Sequence, residues 1–184
     1  PETHYQGCHP SAGIGDHALV EQKPWKSIQN LSAVQQITNP MKVFVSGCYD
    51  LLHSGHVEFF RQASQYGDLY VGIGSDATIL AYKNHKTLYP EQERLFMVKS
   101  IRYVKDACIN QGTGVMDFIP TVEALKPDRF VVNTDGSSEE KRRFCEERNI
   151  EYIVLERTPA KGLNARSSTN IKAEMCEMTQ TASG

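Results

Sequence analysis

The chain has 184 residues, 40% of them apolar and 23% charged, with a formal net charge of −2. That length can bury one substantial core, the charge gives no basic footprint for a nucleic acid, and no apolar run approaches a membrane span. Five cysteines lie scattered without a CxxC pair, the pattern of free thiols in a reducing cytoplasm rather than of a disulfide framework or zinc site. The first residue is Pro1 rather than methionine, so a processed chain or a segment of something longer is expected, with no charged-then-apolar leader.

Residues 1–40 lack sustained periodicity and are punctuated by Pro10, Gly13, Gly15 and Pro24. They read as an irregular arm or linker with at most a short helix over 27–36. His4, Cys8 and His9 fall close together there, but nothing completes a metal-ligand set at a usual spacing, so an incidental surface cluster is the expectation.

From Met41 the pattern becomes regular. Strands are expected over 42–46, 69–73, 107–110, 129–132 and 152–155, and helices over 57–66, 77–81, 90–101, 119–125, 137–148 and from 167 to about 178. Pro90 followed by Glu91 and Glu93 suits a helix start with acidic residues at its positive end. Alternating strands and helices imply βαβ units and a parallel sheet. A globular domain is expected over 41–178, with a tail at 179–184.

The stretch Gly47-Cys48-Tyr49-Asp50-Leu51-Leu52-His53-Ser54-Gly55-His56 joins the first strand to the first helix. A strand end meeting a helix N-terminus is where open α/β sheets bind anions. Two histidines three residues apart at that junction, with Gly55 keeping the space between them clear, read as a phosphate-handling catalytic site. The alternatives are a metal-binding pair, which lacks a third ligand, and two structural histidines, which would be unusual in a glycine turn.

These residues resemble the glycine-Phe-Asp-x-x-His-x-Gly-His signature of the cytidylyltransferase-like nucleotidyltransferases, which include glycerol-3-phosphate cytidylyltransferase and the heptose-phosphate adenylyltransferases. The resemblance implies a doubly wound, Rossmann-like parallel sheet of about five strands with helices on both faces. It also implies that His53 and His56 bind the nucleotide phosphates and stabilise the transition state, and that Gly47, Cys48, Tyr49, Asp50 and Gly55 belong to the nucleotide site. Nucleotidyl transfer needs chiefly positioning and stabilisation of charge at the reacting phosphorus.

Three further stretches bear on the site. Lys83, His85 and Lys86 form a basic loop ahead of a helix, placed to hold the acceptor phosphate, with Lys86 also grouped with the catalytic residues; a solvated charged loop is the alternative. Ile101-Arg102-Tyr103-Val104 resembles the family's Arg-Tyr-Val-Asp element, with Lys105 in place of the aspartate, and by that resemblance Arg102 meets the nucleotide. Arg166 precedes Ser167, Ser168 and Thr169 at a helix start, a cap with free N–H groups and a bidentate phosphate donor beside it. Family members carry an Arg-Thr element before this helix; here residues 159–165 separate Arg157-Thr158 from the cap, which leaves Arg157 and Arg166 as rivals, with Arg166 favoured for abutting it. Asp135 lies in the Asn133-Thr134-Asp135-Gly136 strand end, which by position resembles a family loop near the base but also fits an ordinary turn. Gly72-Ile73-Gly74-Ser75-Asp76-Ala77 is a weak dinucleotide fingerprint on the second strand, where the family shows a similar strand end without nicotinamide chemistry.

The reading is therefore an enzyme that transfers a nucleotidyl group, CMP favoured over AMP, from CTP or ATP to a small phosphorylated polyol or sugar, releasing pyrophosphate. Mg²⁺ would shield the triphosphate, held mainly by phosphates and water, with no carboxylate cage of its own. No nucleic-acid or membrane partner is expected, and a homodimer is the assembly the resemblance raises. The rival from another class is a non-catalytic nucleotide-binding or interaction module of a larger protein.

Overall fold

The computed structural model describes residues 40–181, with side chains through residue 178. The arm expected over 1–40, all but its last residue, lies outside the described residues, as do its short helix, the His4, Cys8, His9 cluster and the last three residues of the tail. The chain runs β1 (Lys42–Gly47), α1 (Ser54–Ala63), β2 (Asp68–Ile73), α2 (Asp76–Lys83), α3 (Glu91–Lys99), β3 (Asp106–Ile109), α4 (Ile119–Leu125), β4 (Arg129–Asn133), α5 (Glu139–Glu146), β5 (Glu151–Leu155) and α6 (Ser168–Thr181). Among the described residues no helix is long and apolar enough to cross a membrane.

The five strands form one parallel sheet in the order β3-β2-β1-β4-β5. Alternation along each strand divides the core into two layers, because successive side chains point to opposite faces. Val43, Val45, Leu69, Val71 and Val131 pack with Phe59, Phe60 and Ala63 of α1 and Val98 of α3. Phe44, Phe130 and Val132 pack on the other face with Val122 of α4 and Phe144 and Cys145 of α5. Phe118, just before α4, meets Phe130 and Phe144 edge-on at centroid distances of 5.0 and 5.6 Å. It is 1% exposed, and truncation to alanine there would cost about 3–5 kcal/mol.

The reversal of winding after β3 opens the sheet where a ligand can enter. β1 pairs with β2 along its whole length, from Lys42 opposite Asp68 to Gly47 opposite Ile73. Against β4 it pairs at Val43 and Phe44 alone, so the C-terminal ends of β1 and β4 diverge. This is the topological switch point of a doubly wound sheet, the crevice where such folds bind ligands.

A buried arginine ties that edge together. Arg94 on α3 is fully buried and donates to the carbonyls of Cys48 at 2.6 Å, Gly74 at 2.9 Å and Tyr89 at 3.1 Å, and to the Asp76 carboxylate at 2.6 Å. The same Asp76 carboxylate accepts from the Glu91 N–H at 3.0 Å and the Thr87 hydroxyl at 2.9 Å. Pro90 is accordingly the residue capping α3 rather than its first helical position, and Glu91 begins the helix.

Candidate active site

The crevice is a cleft of about 530 Å³, lined by the turn after β1, the end of β4, the C-terminus of α2 and the start of α6. The turn is built tightly. Tyr49 takes a left-handed backbone (φ 53°) rare for an aromatic residue, a conformation held by its surroundings. Its ring is 5% exposed and meets His56 edge-on at 5.3 Å. A Cβ on Gly47 would stand 2.8 Å from that ring, so position 47 must be glycine for Tyr49 to support the histidine.

α1 begins at Ser54, three residues earlier than expected, because an imidazole does the capping. His53 is extended and its Nδ1 accepts from the Gly55 N–H at 3.1 Å. With Nδ1 an acceptor, the neutral ring carries its proton on Nε2. His56 stacks on His53 with centroids 3.9 Å apart and planes 24° from parallel. Nε2 of His53 and Nδ1 of His56 are buried without a hydrogen-bond partner. Such atoms are rare in folded proteins and cost about 1–3 kcal/mol each until a partner arrives. Gly55 fills the remaining space: a Cβ there would stand 3.0 Å from the His53 ring and 3.1 Å from the Arg166 carbonyl.

Both imidazoles are neutral near pH 7. Burial pushes the His56 pKa down from 6.5 to about 3, helped by the neighbouring His53 and by the Arg157 charge, and burial with Arg157 lowers His53 as well. The pair thus offers hydrogen bonds rather than fixed positive charge.

The other expected residues divide by position. Gly47, Cys48, Tyr49, Asp50, His53, His56, Lys83, Asp135, Ser167, Ser168 and Thr169 all line the cleft. Asp50 is largely engaged in structure: its carboxylate accepts from the N–H groups of Leu88 and Tyr89 at 2.6 and 3.1 Å and from Lys172 at 3.1 Å. Burial raises its pKa, and those hydrogen bonds outweigh it to leave the group below the usual carboxylate range. Ser167 caps α6, its hydroxyl accepting from the Asn170 N–H at 3.1 Å.

Three expected residues stand elsewhere. Arg166 donates to both carboxylate oxygens of Glu174, at 2.9 and 3.0 Å, and leaves the cleft wall to Arg157. Arg157 sits against Asp135 at 3.3 Å, so of the two rival arginines it is Arg157 whose side chain lines the cleft. Lys86 lies over a groove beside Asp76, Thr87 and Pro90, because α2 ends in a left-handed Asn84 that turns the chain away. Arg102 is exposed, since its neighbours Ile101, Tyr103 and Val104 pack onto the core and point it outward. The glycine-rich strand end serves α2: Ser75 caps the helix and Asp76 holds Arg94.

Two lysines in the wall, Lys141 and Lys172, escaped the reading of the sequence. Lys141 stands three residues after the cap Ser138, and Lys172 five residues after the cap Ser167. Counting three residues on from a capping serine would have found Lys141 alone.

Among the described residues no group of three or more His, Cys, Asp or Glu side chains could hold a metal ion.

Comparison with known proteins identifies the family. The family model described as Cytidylyltransferase-like matches residues 44–174, from β1 into α6. The FAD synthase of Aciduliprofundum boonei is 36% identical over 118 residues, 62% of this chain and 76% of that protein. The glycerol-3-phosphate cytidylyltransferase of Staphylococcus aureus is 34% identical over 134 residues, 73% of this chain and 94% of that protein. The crystal structure of the lipopolysaccharide core biosynthesis protein from Thermoplasma volcanium shares the fold, with a TM-score of 0.55 and 21% identity over 66% of this chain and 99% of that one. The chain belongs to the cytidylyltransferase-like family and is a nucleotidyltransferase.

Proposed function

We propose that this enzyme transfers a nucleotidyl group, with CTP favoured over ATP as donor, to a small phosphorylated polyol or sugar, releasing pyrophosphate. The observation that carries the reading is the stacked histidine pair with two buried, unpartnered ring nitrogens at the switch point of the sheet. A phosphate between them and the start of α6 would satisfy those nitrogens and meet the positive end of the helix. The choice of CTP rests on the resemblance of Ile101-Arg102-Tyr103-Val104 to the family's Arg-Tyr-Val-Asp element.

In this reading an oxygen of the acceptor's phosphate attacks the α-phosphorus. A new P–O bond forms, the bond from that phosphorus to the β-phosphate bridging oxygen breaks, and its electron pair leaves with pyrophosphate. The acceptor oxygen is already anionic near neutral pH, so no general base is needed. His53 donates from Nε2 to the transferring phosphate, and His56 holds His53 in place while offering its own hydrogen bond. Arg157, Ser168, Thr169 and the α6 N-terminus receive the β- and γ-phosphates. Asp135 and the Cys48 region face the nucleoside, and Lys83 meets the acceptor phosphate. Mg²⁺ would come with the triphosphate, held mainly by its phosphates and water, and would lower its charge.

The test is pyrophosphate release with CTP, ATP, GTP or UTP against glycerol 3-phosphate, sugar phosphates and FMN. Release with CTP and a polyol or sugar phosphate supports the proposal. Tight nucleotide binding by calorimetry beside zero release with every pair would favour the non-catalytic module instead.

A further inference from the structure

Tyr49 stands where the family signature has phenylalanine, since Asp50, His53, Gly55 and His56 follow it at the signature's spacing. Its ring is packed as a phenylalanine would be, 5.1 Å from the Phe60 ring and edge-on to His56. The added group is the hydroxyl, and packing gives no reason for it. Among the described residues that hydroxyl makes no hydrogen bond. It ends beside Gly47, 3.0 Å from where a Cβ would stand, and Tyr49 and Gly47 both line the cleft.

A hydroxyl on a ring this deeply packed loses hydration with nothing in return. The left-handed backbone of Tyr49 adds to the cost, and such strain gathers where a ligand is held. Two more atoms of the same turn lack partners, Nε2 of His53 and Nδ1 of His56, and His56 is the ring that Tyr49 supports. Burial, with the neighbouring Cys48, pushes the phenol above its ordinary pKa of 10, so the group keeps its proton and remains a donor. A buried donor is best matched by an anion. Of the anionic groups in the transfer reaction, the α-phosphate is the one given to the histidine pair, and the Tyr49 ring is fixed against that pair. Building on that reaction, we infer that Tyr49 is a further catalytic residue, whose hydroxyl donates a hydrogen bond to a nonbridging oxygen of the α-phosphate. It supplies a third neutral donor where the two histidines carry no fixed charge, aimed at an oxygen that gathers charge during transfer.

The test is calorimetry on the full chain with CMP, AMP and pyrophosphate as separate probes. Tyr49→Phe is expected to weaken the better-bound monophosphate about tenfold or more, the range for a lost hydrogen bond to a charged group, and to leave pyrophosphate within about twofold. The unliganded variant should melt at or above the wild-type Tm, because it sheds an unpaired hydroxyl and keeps the packed ring. In the pyrophosphate-release assay its kcat/KM for the nucleotide should fall by at least the factor lost in binding. Monophosphate affinity unchanged by Tyr49→Phe, pyrophosphate weakened as much as monophosphate, or a lower Tm in the unliganded variant would each overturn the inference. A wild type that binds a monophosphate yet releases no pyrophosphate with any pair would sink the transfer reading alone, since the binding and melting results still decide this one. A wild type that binds neither monophosphate would sink both.

Discussion

On one side of the cleft, from β1 into α1, no residue from 42 to 60 is exposed, and the turn is anchored by Arg94 from beneath. On the other, from β5 into α6, every residue from 156 to 166 except Ala160 is exposed. That second wall is joined to the rest by a Gln62–Thr158 hydrogen bond of 3.0 Å, the Arg157–Asp135 pair at 3.3 Å and the Lys172–Asp50 pair at 3.1 Å. An exposed pair such as Arg157–Asp135 contributes about 0–1 kcal/mol, and the Lys172–Asp50 pair is half-exposed on its lysine side. The histidine side is thus fixed before any ligand arrives, and the arginine side is held by contacts that a triphosphate can compete for. Segments with few buried contacts open at low cost, which suits a wall that must admit a triphosphate and release pyrophosphate. Under the proposed reaction, the buried wall would position the reacting phosphorus and the exposed wall would grip the leaving group.

Substitutions on each side should separate these roles. The largest effect is expected at His56→Ala, which should lower kcat about 10³-fold in a pyrophosphate-release assay while the circular dichroism spectrum stays that of the wild type. Arg157→Ala should lower kcat/KM for the nucleotide about 10²-fold, whereas Arg166→Ala, which breaks a surface pair with Glu174, should stay within about threefold. Equal losses at the two arginines would erase the distinction drawn between them.

The buried side should show itself in stability. Arg94→Met leaves the Cys48 and Gly74 carbonyls without their donor, and a loss of about 3 kcal/mol is expected, seen as a drop in Tm of roughly 6–12 °C. A smaller effect is a pH dependence carried by the histidines. Their pKa values are depressed in the folded chain, His56 from 6.5 to about 3. The unfolded chain therefore binds more protons below pH 6.5, and stability present above that pH is lost as the pH falls toward 3. Between pH 7 and 4.5, above the range where the depressed Asp50 and Asp76 groups titrate, each histidine contributes at most about 1.4 kcal/mol per pH unit. Unfolding midpoints over that range should fall for the wild type and fall less for His56→Gln.

The same contrast explains what could be read from the sequence. Strand and helix positions followed from apolar runs and capping residues, since the two core layers use the alternation that pattern rules detect. The histidine turn was legible because its residues are contiguous and bring their own context. What stayed hidden depends on long-range contacts. Arg94 looks like an ordinary helical arginine until α3 is packed under the turn. Arg166 abuts the cap in sequence, yet Glu174, two helical turns on, draws its side chain away. Arg157 lies farther from the cap in sequence but faces Asp135 across the strand ends, a proximity created by the β4–β5 pairing. A histidine as helix cap also lies outside the usual Ser, Thr, Asp, Asn preference, which is why the start of α1 was placed too late.

The account turns on whether the two unpartnered imidazole nitrogens are ligands of the transferring phosphate. A crystal structure of the full chain with a nonhydrolysable CTP analogue tests this most directly. The prediction is an α-phosphate oxygen within hydrogen-bond distance of His53 Nε2 and the outer phosphates against Arg157 and the start of α6. A triphosphate bound elsewhere, with the histidine pair still unpartnered, would contradict it.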